Sequence, residues 1–394
     1  MPELAKDLKT TINQRLNEVG PSGIREFDVE ISKIPDIVKL TIGEPDFNTP
    51  EDVKQAAINS IKNNDSHYSA QAGTLKLRKA ISGYLKKSQN LTYDPESEVI
   101  VTVGATEAIF ASLTSLLNPG DKVLIPTPVF SLYFPIITLA GATPVMLDTS
   151  KDGFVLSPEK LEQAIEANGD AVKAVLLNYP NNPSGVEYSE SEIRSLAKVI
   201  DQHSLYVIAD EIYAELTYGV KHFSIAKLLP ERTILINGVS KSHAMTGYRI
   251  GYIAAPHEIV KSIIKMHAFM ITSPSNPAQA GAAEALTNGL GDTEPMRKIY
   301  QERRDYIYEQ MKDMGLKAPD PQGAFYLFAQ IPAKFGSDDV AFATDLAKKA
   351  KVGVTPGSCF GKGGEGYVRL SYAASNENIK LAMKRIKKYL SDQQ

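Results

Sequence analysis

The chain has 394 residues, enough for two or three globular units at ~150 residues each. Its 43% hydrophobic and 23% charged content is that of a chain able to bury a sizeable core, which excludes a disordered protein. Lys and Arg number 43 against 46 Asp and Glu, and a net charge of −3 gives no electrostatic hold on nucleic acid or an anionic membrane. The single thiol, Cys359, excludes an internal disulfide, a cysteine-based zinc site and an iron–sulfur cluster. The six His residues show no HExxH or paired spacing, so no metal site is expected. At the N-terminus, MPELAKDLKTTINQR puts Glu3 and Asp7 where a signal peptide needs an apolar stretch. No apolar run approaches the ~18 residues that span a bilayer. A cytoplasmic, enzyme-sized protein is expected.

Taken in chain order, short strands are predicted at Glu98–Val103, Lys122–Pro126, Thr143–Asp148, Lys173–Tyr179, Leu205–Asp210, Thr233–Asn237 and Arg249–Ala254. Their apolar residues are continuous, the pattern of strands covered on both faces. Helical patterns lie between them. In Ser191–His203, Ile193, Leu196, Ala197 and Ile200 recur at helical spacing, and Ser189 with Glu192 forms a capping box. This alternation predicts a mostly parallel α/β sheet. Further on, a charged helix over Glu294–Met314 precedes a strand at Ala324–Ala329. A helix over Val340–Lys349 follows, then strand pieces near Val352–Thr355 and Tyr367–Tyr372. A last helix, Glu377–Leu390, carries Ile379, Met383, Ile386 and Leu390 on one face. Fewer, more widely spaced strands indicate a second, smaller α+β unit.

One apparent motif carries nothing. Gly361-Lys-Gly363-Gly-Glu-Gly366 matches GxGxxG, but it precedes a strand instead of joining a strand to a helix, so it reads as a turn. Chemistry concentrates after the predicted strands, where open α/β sheets place ligands. Gly104-Ala105-Thr106 opens a helix with small residues, a suitable anion cradle. In Asn178-Tyr-Pro-Asn-Asn182-Pro183-Ser-Gly185, two prolines and a glycine stiffen a turn that aims the Asn182 amide. Asp210 ends an apolar strand, which is costly unless a cation faces it, and Tyr213 follows. Lys241 sits among small residues after another strand. Arg249 comes eight residues later, and a nearby cation favours the neutral amine that imine formation needs. An amine, an anion cradle, a carboxylate and two hydrogen-bond donors at one sheet edge are what pyridoxal phosphate requires.

From Ile42-Gly-Glu-Pro-Asp-Phe47 to Val368-Arg369-Leu370-Ser371-Tyr372 the sequence resembles the fold-type-I, pyridoxal-phosphate-dependent class I aminotransferases, with the family's segments in order. The resemblance implies a three-layer α/β/α large domain with a mostly parallel seven-stranded sheet, plus a small α+β domain. It also implies a discontinuous division: residues 1–48 and 291–394 form the small domain, and 49–290 the large one. Lys241 would carry the cofactor, and Asp210 would face its ring nitrogen. Asn182 and Tyr213 would meet its phenolic oxygen, with Phe130 stacked on the ring. Gly104, Ala105, Thr106, Ser240 and Arg249 would hold the phosphate. Tyr68 would reach the partner's phosphate in a homodimer with shared active sites. Arg369 would bind the substrate α-carboxylate beside the Gly43 backbone, placing Gly43 and Arg369 across a cleft from Lys241. Ile24 is a candidate apolar contact to substrate. Two positions depart from many relatives: Gly238 replaces a phosphate-binding Ser, with Ser240 a candidate substitute, and Phe130 replaces Trp or Tyr.

The reaction expected from the resemblance is transfer of an amino group between an L-amino acid and a 2-oxo acid such as 2-oxoglutarate. Thr106 stands where some aspartate-specific relatives have Lys. The segments Ser22-Gly-Ile24-Arg25-Glu-Phe27 and Lys241-Ser-His-Ala-Met-Thr most resemble bacterial aromatic-amino-acid aminotransferases. Aromatic or large apolar substrates are therefore favoured. An N-acetyl-diaminopimelate-type or aspartate substrate is the alternative, as is a carbon–sulfur β-lyase on the same scaffold. A non-catalytic regulator would be expected to carry an added DNA-binding domain, for which the motifs leave no room.

Overall fold

The computed structural model describes residues 2–8 and 13–392. Its strands are β1 (Val38–Lys39), β2 (Val99–Thr102), β3 (Lys122–Thr127), β4 (Thr143–Asp148), β5 (Val172–Asn178) and β6 (Tyr206–Asp210). They continue as β7 (Thr233–Gly238), β8 (Gly251–Ala254), β9 (Tyr326–Gln330), β10 (Val352–Gly353), β11 (Thr355–Pro356) and β12 (Tyr367–Ser371). Seven of these form one sheet in the order β2-β8-β7-β6-β5-β3-β4. All its neighbours pair parallel except β8, which is antiparallel to both β2 and β7. The expected α/β fold is present. The last predicted strand starts two residues late because Arg249 has φ 55°, left-handed backbone that a strand cannot accommodate.

The unbroken apolar runs are explained by the two covered faces. Ile208 of β6 packs with Ile100, Ile125, Leu176, Ile234 and Ile253 on one side of the sheet. Its neighbours Val207 and Ala209 pack on the other, with Leu124, Val175 and Leu177. Burying each such Ile or Leu is worth about 1.5–3 kcal/mol, so helices must cover both faces. Helix Glu190–Ile200 does so with Ile193, Leu196, Ala197 and Ile200, and the Ser189–Glu192 capping box fixes its start. Among the described residues, no helix is long and apolar enough to cross a membrane.

Chain ends meet in a second core. Val38 of β1 pairs parallel with Val352 of β10, and β11, β12 and β9 form an antiparallel sheet. The predicted strand piece at 352–355 is thus two short strands serving different sheets. Phe27, Ile31, Val38 and Leu40 share one core with Leu327, Phe342, Leu346, Ile379, Met383 and Ile386, and with Ile212 and Tyr213 after β6. On the last helix Ile379, Met383 and Ile386 are buried as expected, and Leu390 packs against the same core partly buried, with Tyr389 buried beside it. The Gly361–Gly366 segment is a turn leading into β12, with φ positive at Gly361, Gly363 and Gly366.

Candidate active site

Strand direction gathers the site. Because β8 alone runs backwards, its beginning lies at the same sheet edge as the ends of β2, β5, β6 and β7. Arg249, Gly104, Asn178, Asp210 and the segment leading to Lys241 therefore arrive together.

Gly104 has φ +74° and starts the helix Gly104–Leu116. A side chain at Gly104 would put its Cβ 2.5 Å from the Arg249 guanidinium, and one at Gly251 would fall 2.5 Å from the Ala105 nitrogen. Both positions must be glycine for the exposed Arg249 to stand over the helix start. Arg249 Nη1 donates to the Thr246 carbonyl at 3.0 Å. Thr106 is exposed on the same first turn, and Ser240 is buried beside Lys241. Free N–H groups, a helix dipole and a guanidinium form a site that could hold a phosphate. At Gly238, a Cβ would lie 2.8 Å from the Ile250 carbonyl and from Gly251 Cα, so the departure from Ser accompanies close backbone packing here.

Lys241 Nζ donates to the Gly43 carbonyl at 2.7 Å and lies 6.0 and 5.8 Å from the Tyr213 and Phe325 ring centres. Burial brings its pKa down to about 8, opposed by Glu44 and Asp210 and reinforced by Arg249 and Arg369. Arg249 is thus a secondary cause of the shift the sequence suggested. The expected placement of Gly43 across a cleft from Lys241 is also corrected, since the two touch.

Asp210 is buried and makes no ion pair among the described residues; the cation its sequence position calls for is Lys241, a lesser influence than its hydrogen bonds. Tyr133 OH donates to Oδ2 at 2.7 Å and the Ile212 N–H to Oδ1 at 3.2 Å. Those two bonds hold its pKa down, but burial outweighs them and raises it to about 6. Phe130, half-buried, meets Tyr133 edge-on at 6.1 Å between ring centres. Asn178 ties neighbouring strand ends: its Nδ2 donates to the Asp210 carbonyl at 3.2 Å, and its Oδ1 accepts from the Asn182 N–H at 3.0 Å.

Arg369 is buried on β12. Its Nη1 donates to Asn182 Oδ1 at 2.8 Å and its Nη2 to the Thr41 carbonyl at 2.7 Å, while Nε has no hydrogen-bond partner among the described residues. The guanidinium lies 4.4 Å from the Tyr326 ring centre and 4.9 Å from that of Phe360. Tyr326 OH and Tyr213 OH are 2.8 Å apart. Ile24 packs against the cluster of Phe154, Val186, Phe328 and Phe360. Tyr68 stands apart, 86% exposed.

Sequence reasoning missed Tyr133, Asn178 and Tyr326. Asn178 lies inside the Asn178–Gly185 turn and Tyr133 three residues after Phe130, yet Tyr133's partner Asp210 and Asn178's partner at the Asp210 carbonyl lie on another strand and leave no local signal.

Residues 35–386 match the family Aminotransferase class I and II. A probable N-acetyl-LL-diaminopimelate aminotransferase from Bacillus subtilis is 44% identical over 379 residues, covering 96% of this chain and 95% of its own. This chain belongs to the class I aminotransferases. Aromatic-amino-acid aminotransferase 2 of Thermococcus litoralis is 38% identical, covering 97% of this chain and 98% of its own. The structure of Thermus thermophilus aspartate aminotransferase with maleate superposes with TM-score 0.91 at 37% identity, covering 96% of this chain and 99% of that one. As a class I aminotransferase the protein uses pyridoxal phosphate. The residues present fit that group: an anion cradle that a Cβ would fill, an amine with its pKa lowered by burial, and a buried carboxylate.

Proposed function

We propose that this aminotransferase works on aromatic or large apolar L-amino acids, with glutamate and 2-oxoglutarate as the second pair. The observation that carries the reading is the apolar cluster against which Ile24 packs, next to an Arg369 held between two aromatic rings. The Arg369 guanidinium takes the α-carboxylate, and the apolar wall takes the side chain. Bound pyridoxal phosphate supplies an electron sink for the bond broken at Cα. Lys241 is the amine that would hold the cofactor covalently and would carry the substrate Cα proton; a pKa of about 8 suits an amine that must accept and return a proton. Asp210 would face the ring nitrogen, Asn182 and Tyr213 the phenolic oxygen, and Phe130 the ring. Gly104, Ala105, Thr106, Ser240 and Arg249 would take the phosphate.

We also propose that 1–48 and 291–394 act as one domain against 49–290, and that the enzyme is a homodimer. Tyr68 and Phe269, 86% and 93% exposed, support the latter as apolar surface awaiting a partner. In this reading Tyr68 reaches the other copy's phosphate.

A donor panel with 2-oxoglutarate tests the substrate class. Phenylalanine and tyrosine should outrun aspartate, and aspartate ahead by a large factor overturns the reading. Glutamate as product supports transfer, whereas pyruvate and ammonia formed without a second acid indicate a β-lyase. A second reading, an N-acetylated diaminopimelate-type donor, is favoured by the 44% identity to the Bacillus subtilis relative and belongs in the same panel. The Lys241→Ala protein should lose the visible absorbance of the bound cofactor; a band that survives dialysis removes Lys241 from its role.

A further inference from the structure

Beside the site lies a charge cluster that the chemistry above does not use. Glu187, Glu211 and His222 are 4%, 1% and 3% exposed. His222 Nδ1 is 3.1 Å from Glu187 Oε1, and its Nε2 is 2.9 Å from Glu211 Oε2. Both ring nitrogens thus face carboxylate oxygens: Nδ1 in hydrogen-bond geometry with Glu187, and Nε2 at ion-pair distance from Glu211 without hydrogen-bond alignment, a charge contact that suits an imidazolium. Tyr179 OH and Ser224 Oγ donate to Glu211 Oε1 at 3.2 and 2.6 Å, and the Tyr179 ring lies 5.1 Å from the imidazole. Burial alone would drive the proton off, but the two carboxylates outweigh it and hold the pKa at about 10. Among the described residues no group of three or more His, Cys, Asp or Glu is arranged to hold a metal ion, so the trio is a charge contact.

What the cluster joins gives it meaning. Glu187 closes the turn that carries Asn182, where the Asn181 N–H donates to the Val186 carbonyl at 2.9 Å. Glu211 follows Asp210 directly and precedes Tyr213 by two residues, and its carbonyl accepts from the Ala214 N–H at 2.9 Å. We propose that His222 is a positioning residue whose imidazolium clips the Asn182 turn to the strand end bearing Asp210 and Tyr213, fixing the spacing of the groups around the cofactor ring. The inference rests on the reading that those three residues hold the cofactor.

Glu187→Gln tests it, because the side chain keeps its size and Glu211 still pairs with His222. The holoenzyme variant should bind pyridoxal phosphate about tenfold more weakly, the loss of one charge-assisted hydrogen bond. The pH midpoint of its visible absorbance should also move. Glu187→Gln combined with His222→Gln should be no worse than His222→Gln alone, since the Glu187 contact is already lost when His222 is replaced. A cluster that only stabilises the fold would lower the unfolding temperature and leave cofactor affinity and absorbance midpoint at wild-type values; that result overturns the proposal. Asn182→Ala and Asp210→Asn separate the two ideas. If they weaken cofactor binding while Glu187→Gln does not, the clip alone is wrong; if neither does, the reading of the site is wrong.

Discussion

Asp210 and Lys241 are held in the free protein against their ordinary ionisation, in opposite directions and for the same reason, burial. A carboxyl whose pKa rises from 3.8 to about 6 on folding gives up roughly 3 kcal/mol once both states are ionised. The stabilising contribution of protonated Asp210 is complete below pH 3.8 and lost as the pH rises through about 6. The cofactor-free Asp210→Asn protein should therefore melt higher than wild type at pH 8 and equally at pH 4, while its transaminase activity falls. Calorimetry of the two apo-proteins at the two pH values checks this, and a lower melting point for the variant at pH 8 contradicts it. Lys241 follows the mirrored rule: the advantage of the neutral amine is present above pH 10.5 and lost as the pH falls through about 8. Binding a cofactor with a positive ring nitrogen and an aldehyde would relieve both groups. Most of these side chains were legible in the sequence because a polar residue ending an apolar strand is conspicuous. Tyr133 was not, since its partner is 77 residues away and a tyrosine in an apolar segment reads as core.

At the level of elements, the reversed strand β8 does the gathering, and glycine makes it possible. Gly251 opens β8 against the start of the helix that begins at Gly104, with no room for a side chain. Gly251→Ala should cost about 1–3 kcal/mol of stability, as overpacking generally does, and weaken cofactor binding by displacing the helix start. Thermal unfolding and a pyridoxal phosphate titration measure both effects. A variant as tight and stable as wild type would show that the contact relaxes freely. Continuous apolar runs revealed the sheet's strands, because burial on both faces leaves no alternation to misread. The pieces at 352–356 were harder: two strands of two residues each are set by distant partners, and no local pattern distinguishes them from a single strand.

For the whole molecule, the question is how much of the site one chain supplies. Tyr68 makes none of the site contacts described above, so its proposed function needs a second copy. Phe269→Asp should favour the monomer and loosen cofactor retention. Tyr68→Phe should weaken cofactor binding and leave the dimer intact. Sedimentation with cofactor titration separates the two, and a fully active monomer excludes the shared site. The meeting of the chain ends also imposes an order in time. Arg369 donates to Thr41 across 328 residues, and β1 pairs with Val352–Gly353. During synthesis, the apolar face of Phe27, Ile31, Val38 and Leu40 must wait, unpartnered, until most of the chain has left the ribosome. The Arg369 contact completes only after that, so this apolar surface stays uncovered through most of synthesis.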